Sequence, residues 1–122
     1  MAENRQYITH LQDNGTVMIS EDVVAAIAAQ AVVEVDGVVG FSSKSGADIA
    51  EKISKKVWGK GLKISIGNDN ELYIDCNVVI CYGQSVVDVA KAVQGAVVSA
   101  VESMTGVTVV SVNVNVCGIA HQ

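Results

Sequence analysis

Residues 72–82 read Leu-Tyr-Ile-Asp-Cys-Asn-Val-Val-Ile-Cys-Tyr, and their alternation decides the fold. Successive side chains of an extended chain point to opposite faces, so every second residue shares a face. Tyr73, Asp75 and Asn77 make one face polar. We therefore predict a long strand with one buried face and one polar face. The predicted buried side chains are Leu72, Ile74, Cys76, Val78, Ile80 and Tyr82.

The residues before this strand predict its partner. Leu62, Ile64 and Ile66 alternate with polar residues, which indicates a second strand. The turn-forming cluster Gly-Asn-Asp-Asn follows at 67–70. Two such strands joined by a short turn predict an antiparallel hairpin.

The residues after the strand predict a long helix and a last strand. Ser85 is a suitable N-cap with Asp88 at capping-box spacing, and Gly106 ends an apolar stripe that includes Met104. Alternation then resumes, and its phase slips near Val110, which indicates a β-bulge. The side chains predicted to face inward are Val110, Val112, Val114 and Val116.

The first half of the chain predicts a short strand followed by helices. Residues 15–19 alternate, Ser20 is a suitable N-cap, and a helical apolar pattern then runs to the Asp36-Gly37 pair. Residues 38–46 read as a connection. A second, short helical pattern spans residues 47–58, where Ile49, Ile53 and Val57 stack on one side.

These elements predict one α+β domain with the order strand, helix, short helix, strand, strand, helix, strand. Because the strands have one polar face, we expect the helices on one face of a mixed or antiparallel sheet. The predicted domain spans residues 15–119. Residues 1–14 are expected to form a flexible N-terminal segment.

Charge is segregated along the chain. The chain carries a net −5, yet residues 44–63 contain six lysines and two acids, which leaves −9 elsewhere. Within 47–58 the lysines lie opposite the apolar stripe. Two interpretations stay open for this basic face: contact with an acidic lipid, nucleic acid or protein, or simple solubilisation. The candidate contact residues are Lys52, Lys55, Lys56, Lys60 and the neighbouring Trp58.

The last strand is a second candidate contact surface. It is rich in valine and carries no charge. An uncharged strand at a sheet edge invites pairing with another chain, whereas a central position would remove that tendency. The candidate residues are Val110, Val112 and Val114.

Composition and motifs argue against an active site. The chain has no phosphate-binding or dinucleotide-binding glycine motif, and His10 and His121 lie in the terminal segments. Three cysteines without a close-spaced pair indicate reduced thiols rather than a disulfide framework. We predict no catalytic, cofactor-binding or metal-binding residue. With no secretory signal and no long apolar run, we expect a cytoplasmic protein with no integral membrane segment.

Short motifs follow one another along the chain in a specific order. The first half contains Gly15-x-Val17-x-Ile19-Ser20, Val23-Val24, Ile27-Ala28, Val35-x-Gly37-Val38 and Gly61-Leu62-Lys63-Ile64. The second half contains Tyr82-Gly83, Val93-Gln94, Met104-Thr105-Gly106 and Val112-Asn113-Val114-Asn115-Val116. Together they resemble the alkaline shock protein family of Gram-positive bacteria, in particular its short housekeeping-type members.

The resemblance implies a non-enzymatic, cytoplasmic protein of the envelope stress response. Some members of that family lie near the inner face of the membrane, held by a membrane-anchored partner, and some self-assemble. We therefore expect a scaffolding protein that acts through self-association or through a membrane-anchored partner, without a cofactor. Two alternatives stay open: a small nucleic-acid-binding module, which the net acidity disfavours, and a regulatory subunit of an enzyme.

Overall fold

The computed structural model describes residues 7–42, 61–67 and 70–121. The predicted short helix at 47–58 lies outside these residues. In chain order the elements are β1 (Tyr7–Gln12), β2 (Gly15–Ser20), α1 (Glu21–Val33), β3 (Val38–Phe41), β4 (Leu62–Ile66), β5 (Leu72–Cys81), α2 (Val86–Thr105) and β6 (Val109–Ala120).

Strand β5 is the central strand of a four-stranded sheet. Strand β6 pairs with it in parallel on one side, and β3 and β4 pair with it antiparallel on the other. The parallel pairing follows from the connection, because α2 carries the chain back along the sheet before β6 begins. The predicted β4–β5 hairpin and the predicted α+β fold are confirmed, and the sheet is mixed.

Strands β3 and β4 lie end to end along one side of β5. Strand β3 ends where Phe41 pairs with Val78, and β4 begins two positions further along β5, opposite Cys76. Between them the Ser42 amide donates to a β5 carbonyl at 2.9 Å. Residues 43–60 therefore connect two adjacent points of one interrupted strand. The prediction that residues 38–46 form a connection is wrong for the first four, which form β3.

Helices α1 and α2 lie antiparallel on one face of the sheet. The turn after α1 touches the start of α2, where a Cβ on Gly37 would lie 2.8 Å from a Val89 methyl. Helix α1 contacts β3 and β4, while α2 contacts β6. Valine and alanine stripes from both helices meet the apolar face of β5 in one core. The fully buried side chains of these stripes are Val24, Ala28, Val32, Val93, Val97 and Val101.

Local signals fix the helix ends. The Ser20 side chain accepts from the Val23 amide, and the Ser85 side chain accepts from the Asp88 amide, so both predicted N-caps are confirmed. Gly106 ends α2 with φ of 75°, as predicted. Helix α1 ends at Val33, earlier than the predicted Asp36-Gly37 stop, because its last turn is followed by a tight turn rather than by a glycine cap.

The N-terminal boundary of the domain was placed too late. Residues 7–12, assigned to a flexible segment, form β1 and pair with β2. Asn70 holds the hairpin: its side chain accepts from the Thr9 amide at 3.2 Å and donates to the Thr9 carbonyl at 2.9 Å. The His10 Nε2 donates to the Thr105 carbonyl at the end of α2, at 2.8 Å. These long-range contacts leave no pattern in the sequence of 1–14.

Candidate interaction surfaces

Strand β6 forms one edge of the sheet in the described part of the chain. Its strand pairing there is with β5 alone, so its other side carries backbone groups that no described strand pairs. None of its twelve residues is charged. An uncharged edge of this length lacks the charged residues with which many proteins prevent edge-to-edge pairing.

Two bulges bound the regular part of this edge. The register skips Val110 at one end and Cys117 at the other, and residues 111–116 pair in continuous register with β5. The predicted bulge near Val110 is thus confirmed. The bulge at Val110 also turns the Val110 side chain outward, where 50% of its surface is exposed. The prediction that Val110 faces inward is therefore wrong. Tyr82, predicted to extend the buried face of β5, lies beyond the strand and is exposed.

The other candidate side chains of β6 face the core side of the sheet. Val112 is buried and Val114 is half-buried against the core. Neither side chain is free to anchor a partner, because both already pack beneath α2. What β6 offers to a partner is its backbone edge and the exposed side chains of Val110 and Ile119. Whether this edge forms a contact stays a prediction.

The polar face of the sheet is organised by side-chain hydrogen bonds across the β5–β6 pair. Asn113 donates to Asp75 Oδ1 at 2.9 Å, and Asn115 donates to Asn77 Oδ1 at 2.9 Å. Lys63 of β4 pairs in register with Asp75 from the other side. This face therefore balances its charges and carries many neutral hydrogen-bonding groups next to the β6 edge.

The basic candidate surface falls where the structure gives no description. Lys52, Lys55, Lys56, Trp58 and Lys60 all lie outside the described residues. The described residues contain nine carboxylates and two lysines, a net of −7. The charge segregation itself is a property of the sequence, with a net of +4 over residues 44–63 and −9 elsewhere.

The cysteines occupy structural positions. Cys76 is fully buried in the core, and burial raises the pKa of its thiol to about 12, so this thiol is protonated and unreactive at neutral pH. Cys81 and Cys117 are free thiols of intermediate exposure on β5 and β6.

The histidines likewise hold the fold together. His10 binds the end of α2, and the His121 ring stacks on Tyr82 with ring centres 4.6 Å apart. Within the described ranges, no three histidine, cysteine, aspartate or glutamate side chains gather in a way that fits a metal ion.

A groove between α1 and α2 is a feature that the sequence analysis missed. It encloses about 700 Å³, and small side chains such as Ala31, Ala96 and Ala100 form its floor. Met104 stands at one end and is 69% exposed, although the sequence analysis placed it in the buried stripe of α2. The alanines of both helices and the serines of α2 were the available signal for this groove, but alanine is equally typical of tight helix packing.

No helix in the described ranges is long and apolar enough to span a lipid bilayer. No solved structure matches the chain significantly.

Comparison with known proteins places the chain in a family. The family of alkaline shock proteins, described as having a cell envelope-related function, matches residues 9–121. The uncharacterized proteins YqhY and YloU of Bacillus subtilis are 32% and 31% identical, over 91% and 86% of this chain and 79% and 88% of their own lengths. Spy1614 of Streptococcus pyogenes, also uncharacterized, is 32% identical over 87% of this chain and 88% of its own. The resemblance noted in the sequence motifs is confirmed, and the chain belongs to the alkaline shock protein family.

Proposed function

We propose that this chain is a non-enzymatic scaffolding protein of the envelope stress response. It acts on the cytoplasmic side of the membrane, by associating with copies of itself or with a membrane-anchored partner. The family has a cell envelope-related function, which supports the envelope association. The observation that carries the mode of action is the uncharged edge of β6, which no strand in the described residues pairs.

The distribution of charge favours this edge over the rest of the described surface. Two copies with a net of −7 on their described residues repel each other wherever carboxylates meet. The β6 edge has no charge, and the adjoining polar face pairs Asp75 with Asn113 and sets it beside Lys63. Contact along β6 therefore avoids that repulsion.

Antiparallel pairing of two β6 edges would join two sheets into one. Such a contact is isologous, because each copy presents the same residues to the other. The regular stretch 111–116 lies between the two bulges and supplies the backbone groups, apart from the Val112 carbonyl, which already accepts from Gln94 Nε2 at 3.0 Å. A partner protein with a free edge strand of its own would use the same groups, as in strand addition.

The test adds like charges along the edge. In a variant with Val110→Lys and Asn115→Lys, both changes fall on exposed side chains of β6, and a lysine at 115 retains a donor for Asn77. We expect this variant to form smaller species than the wild-type chain at equal concentration, measured by light scattering and sedimentation over a range of concentrations, because the contact along β6 is lost. A wild-type chain that stays monomeric and retains no envelope partner would refute the proposal.

A matched control separates edge pairing from net charge. Ser65→Lys and Ala92→Lys add the same two charges at exposed positions of β4 and α2, away from β6. This control should associate like the wild type. Equal weakening of both variants would mean that net charge, rather than the β6 edge, governs the association.

The basic segment is the second part of the proposal. Reversal of Lys52, Lys55, Lys56 and Lys60 to glutamate should release the protein from its site at the membrane, if that segment contacts an acidic partner or lipid. Localisation of a fluorescent fusion, with circular dichroism as a check of folding, measures this. Unchanged localisation with an intact fold would remove the lysines from the proposal.

A further inference from the structure

The groove between α1 and α2 lies on the side of the helices away from the sheet. Val24, Ala28 and Val32 of α1 face the core, while Ala26 and Gln30, about half a helical turn away, line the groove. The groove is thus open to solvent although its floor is apolar. Nothing in the described part of the chain fills its volume of about 700 Å³.

The groove has the shape and charge to receive a basic amphipathic helix. Alanines on its floor allow close approach of a third helix, and an exposed methionine at its end adapts to varied side chains. Glu34 is the one ionisable side chain among the lining residues. Neither described lysine, Lys63 or Lys91, lines it. A partner with lysines beside an apolar stripe would therefore meet complementary charge.

We propose that this groove binds residues 47–58 of a second copy of the chain. The sequence of that segment has the required pattern, with Ile49, Ile53 and Val57 on one side and lysines on the other. The helical pattern predicted from the sequence gives this stripe a length of about 12 Å, and the groove wall on α2, from Ala96 to Met104, also extends over about 12 Å. The inference deepens the proposed self-association and rests on it.

The position of the chain ends favours a second copy over the same copy. Residues 43–60 begin and end at the junction of β3 and β4, where Phe41 and Ser42 are buried and α1 crosses above. From Val57 to Gly61 the chain reaches at most about 14 Å. The path around a helix of about 10 Å diameter is about 16 Å even before the height above the sheet is added. The groove of a neighbouring copy has no such restriction.

This contact is heterologous, because the groove and the segment are different surfaces of the chain. Two variants that each lose one of these surfaces should therefore complement each other. The first carries Ala26→Lys and Ser99→Lys, two exposed groove positions where lysine blocks the groove and repels a basic segment. The second carries Ile49→Ser and Ile53→Ser, which remove two of the three apolar side chains of the stripe.

Both variants are made in a parent that already carries Val110→Lys and Asn115→Lys, so that pairing of β6 edges does not contribute. Sedimentation velocity of each variant and of their mixture is the measurement. We expect the parent to associate, each variant alone to lose its larger species, and the mixture to regain a one-to-one complex. A cooperative thermal unfolding transition in each variant serves as the check that both stay folded.

A charge-matched control carries Thr16→Lys and Ser65→Lys, at exposed positions of β2 and β4 that do not line the groove, in the same parent and should associate as the parent does. A parent that does not associate would overturn the groove proposal. So would either variant that associates, on its own, as the parent does. Edge pairing of β6 is tested separately, by the variants described under the proposed function. If both variants lose association and their mixture stays unassociated, the segment does not bind the groove of another copy, which also overturns it.

Discussion

Gly61 lies directly against Ser42, although 18 residues separate them in the chain. A Cβ on Gly61 would come within 2.9 Å of the Ser42 carbonyl oxygen and 2.7 Å of the Phe41 Cβ. This close approach is what lets β3 and β4 act as one interrupted strand beside β5 and brings both ends of the basic segment to one point of the sheet edge.

The first prediction follows from this approach. Gly61→Ala should lower the free energy of unfolding by about 1–3 kcal/mol, because the added methyl group meets backbone rather than a movable side chain. Gly95→Ala is the matched control: its Cβ would touch nothing within 4 Å on α2, so it should raise stability by about 0.5–1 kcal/mol. Urea unfolding measures both, and equal effects would contradict the close contact.

Asn70 should be essential for holding the N-terminal hairpin. It is the one described residue other than glycine with positive φ, at 63°, and it makes two hydrogen bonds to Thr9. Asn70→Ala should cost about 1–3 kcal/mol through strain and lost bonds. Asn70→Gly avoids the positive-φ strain but still loses both side-chain hydrogen bonds, so amide exchange in β1 should accelerate in it as well. Unchanged exchange in both variants would show that Asn70 does not hold β1.

Alkaline pH should destabilise the fold through Cys76. Its thiol has a pKa of about 12 in the folded chain against 9.0 for an ordinary thiol, because burial disfavours the thiolate. The unfolded chain therefore loses this proton first, and the free energy of unfolding falls between about pH 9 and pH 12, by up to about 1.4 kcal/mol per pH unit. Below pH 9 the contribution of this thiol is constant.

Comparison with Cys76→Ala isolates that effect. The pKa of Tyr73 is also raised, since its hydroxyl donates to Glu71 and feels that negative charge, so the wild-type curve contains a second contribution. The alanine variant should be less stable at neutral pH, because a cavity forms, but its stability should fall less steeply above pH 9. Parallel curves for the two proteins would exclude Cys76 as the cause.

Thiol labelling should distinguish the three cysteines. Cys81 and Cys117 are partly exposed and should react with a maleimide at neutral pH, whereas buried Cys76 should react only after unfolding. Mass spectrometry of the native protein should find two labels, and that of the unfolded protein three. Three labels under native conditions would mean that the core around β5 opens readily.

The sequence by itself determined the elements whose signals are local. The alternation of β4, β5 and β6, the serine N-caps at 20 and 85, the glycine stop at 106 and the bulge near Val110 were all predictable. They depend on side-chain periodicity and on backbone groups within a few residues of each other, which a linear pattern records. The ordered motifs likewise identified the family, which is described as having a cell envelope-related function.

Tertiary structure alone decided which surfaces are open. That β1 joins the fold through Asn70, that β3 and β4 form one interrupted strand, and that Met104 is exposed beside a groove all depend on residues far apart in the chain. An apolar side chain in a periodic stripe is buried only if another element covers it. A sequence pattern specifies the stripe, but the packing of elements decides what covers it.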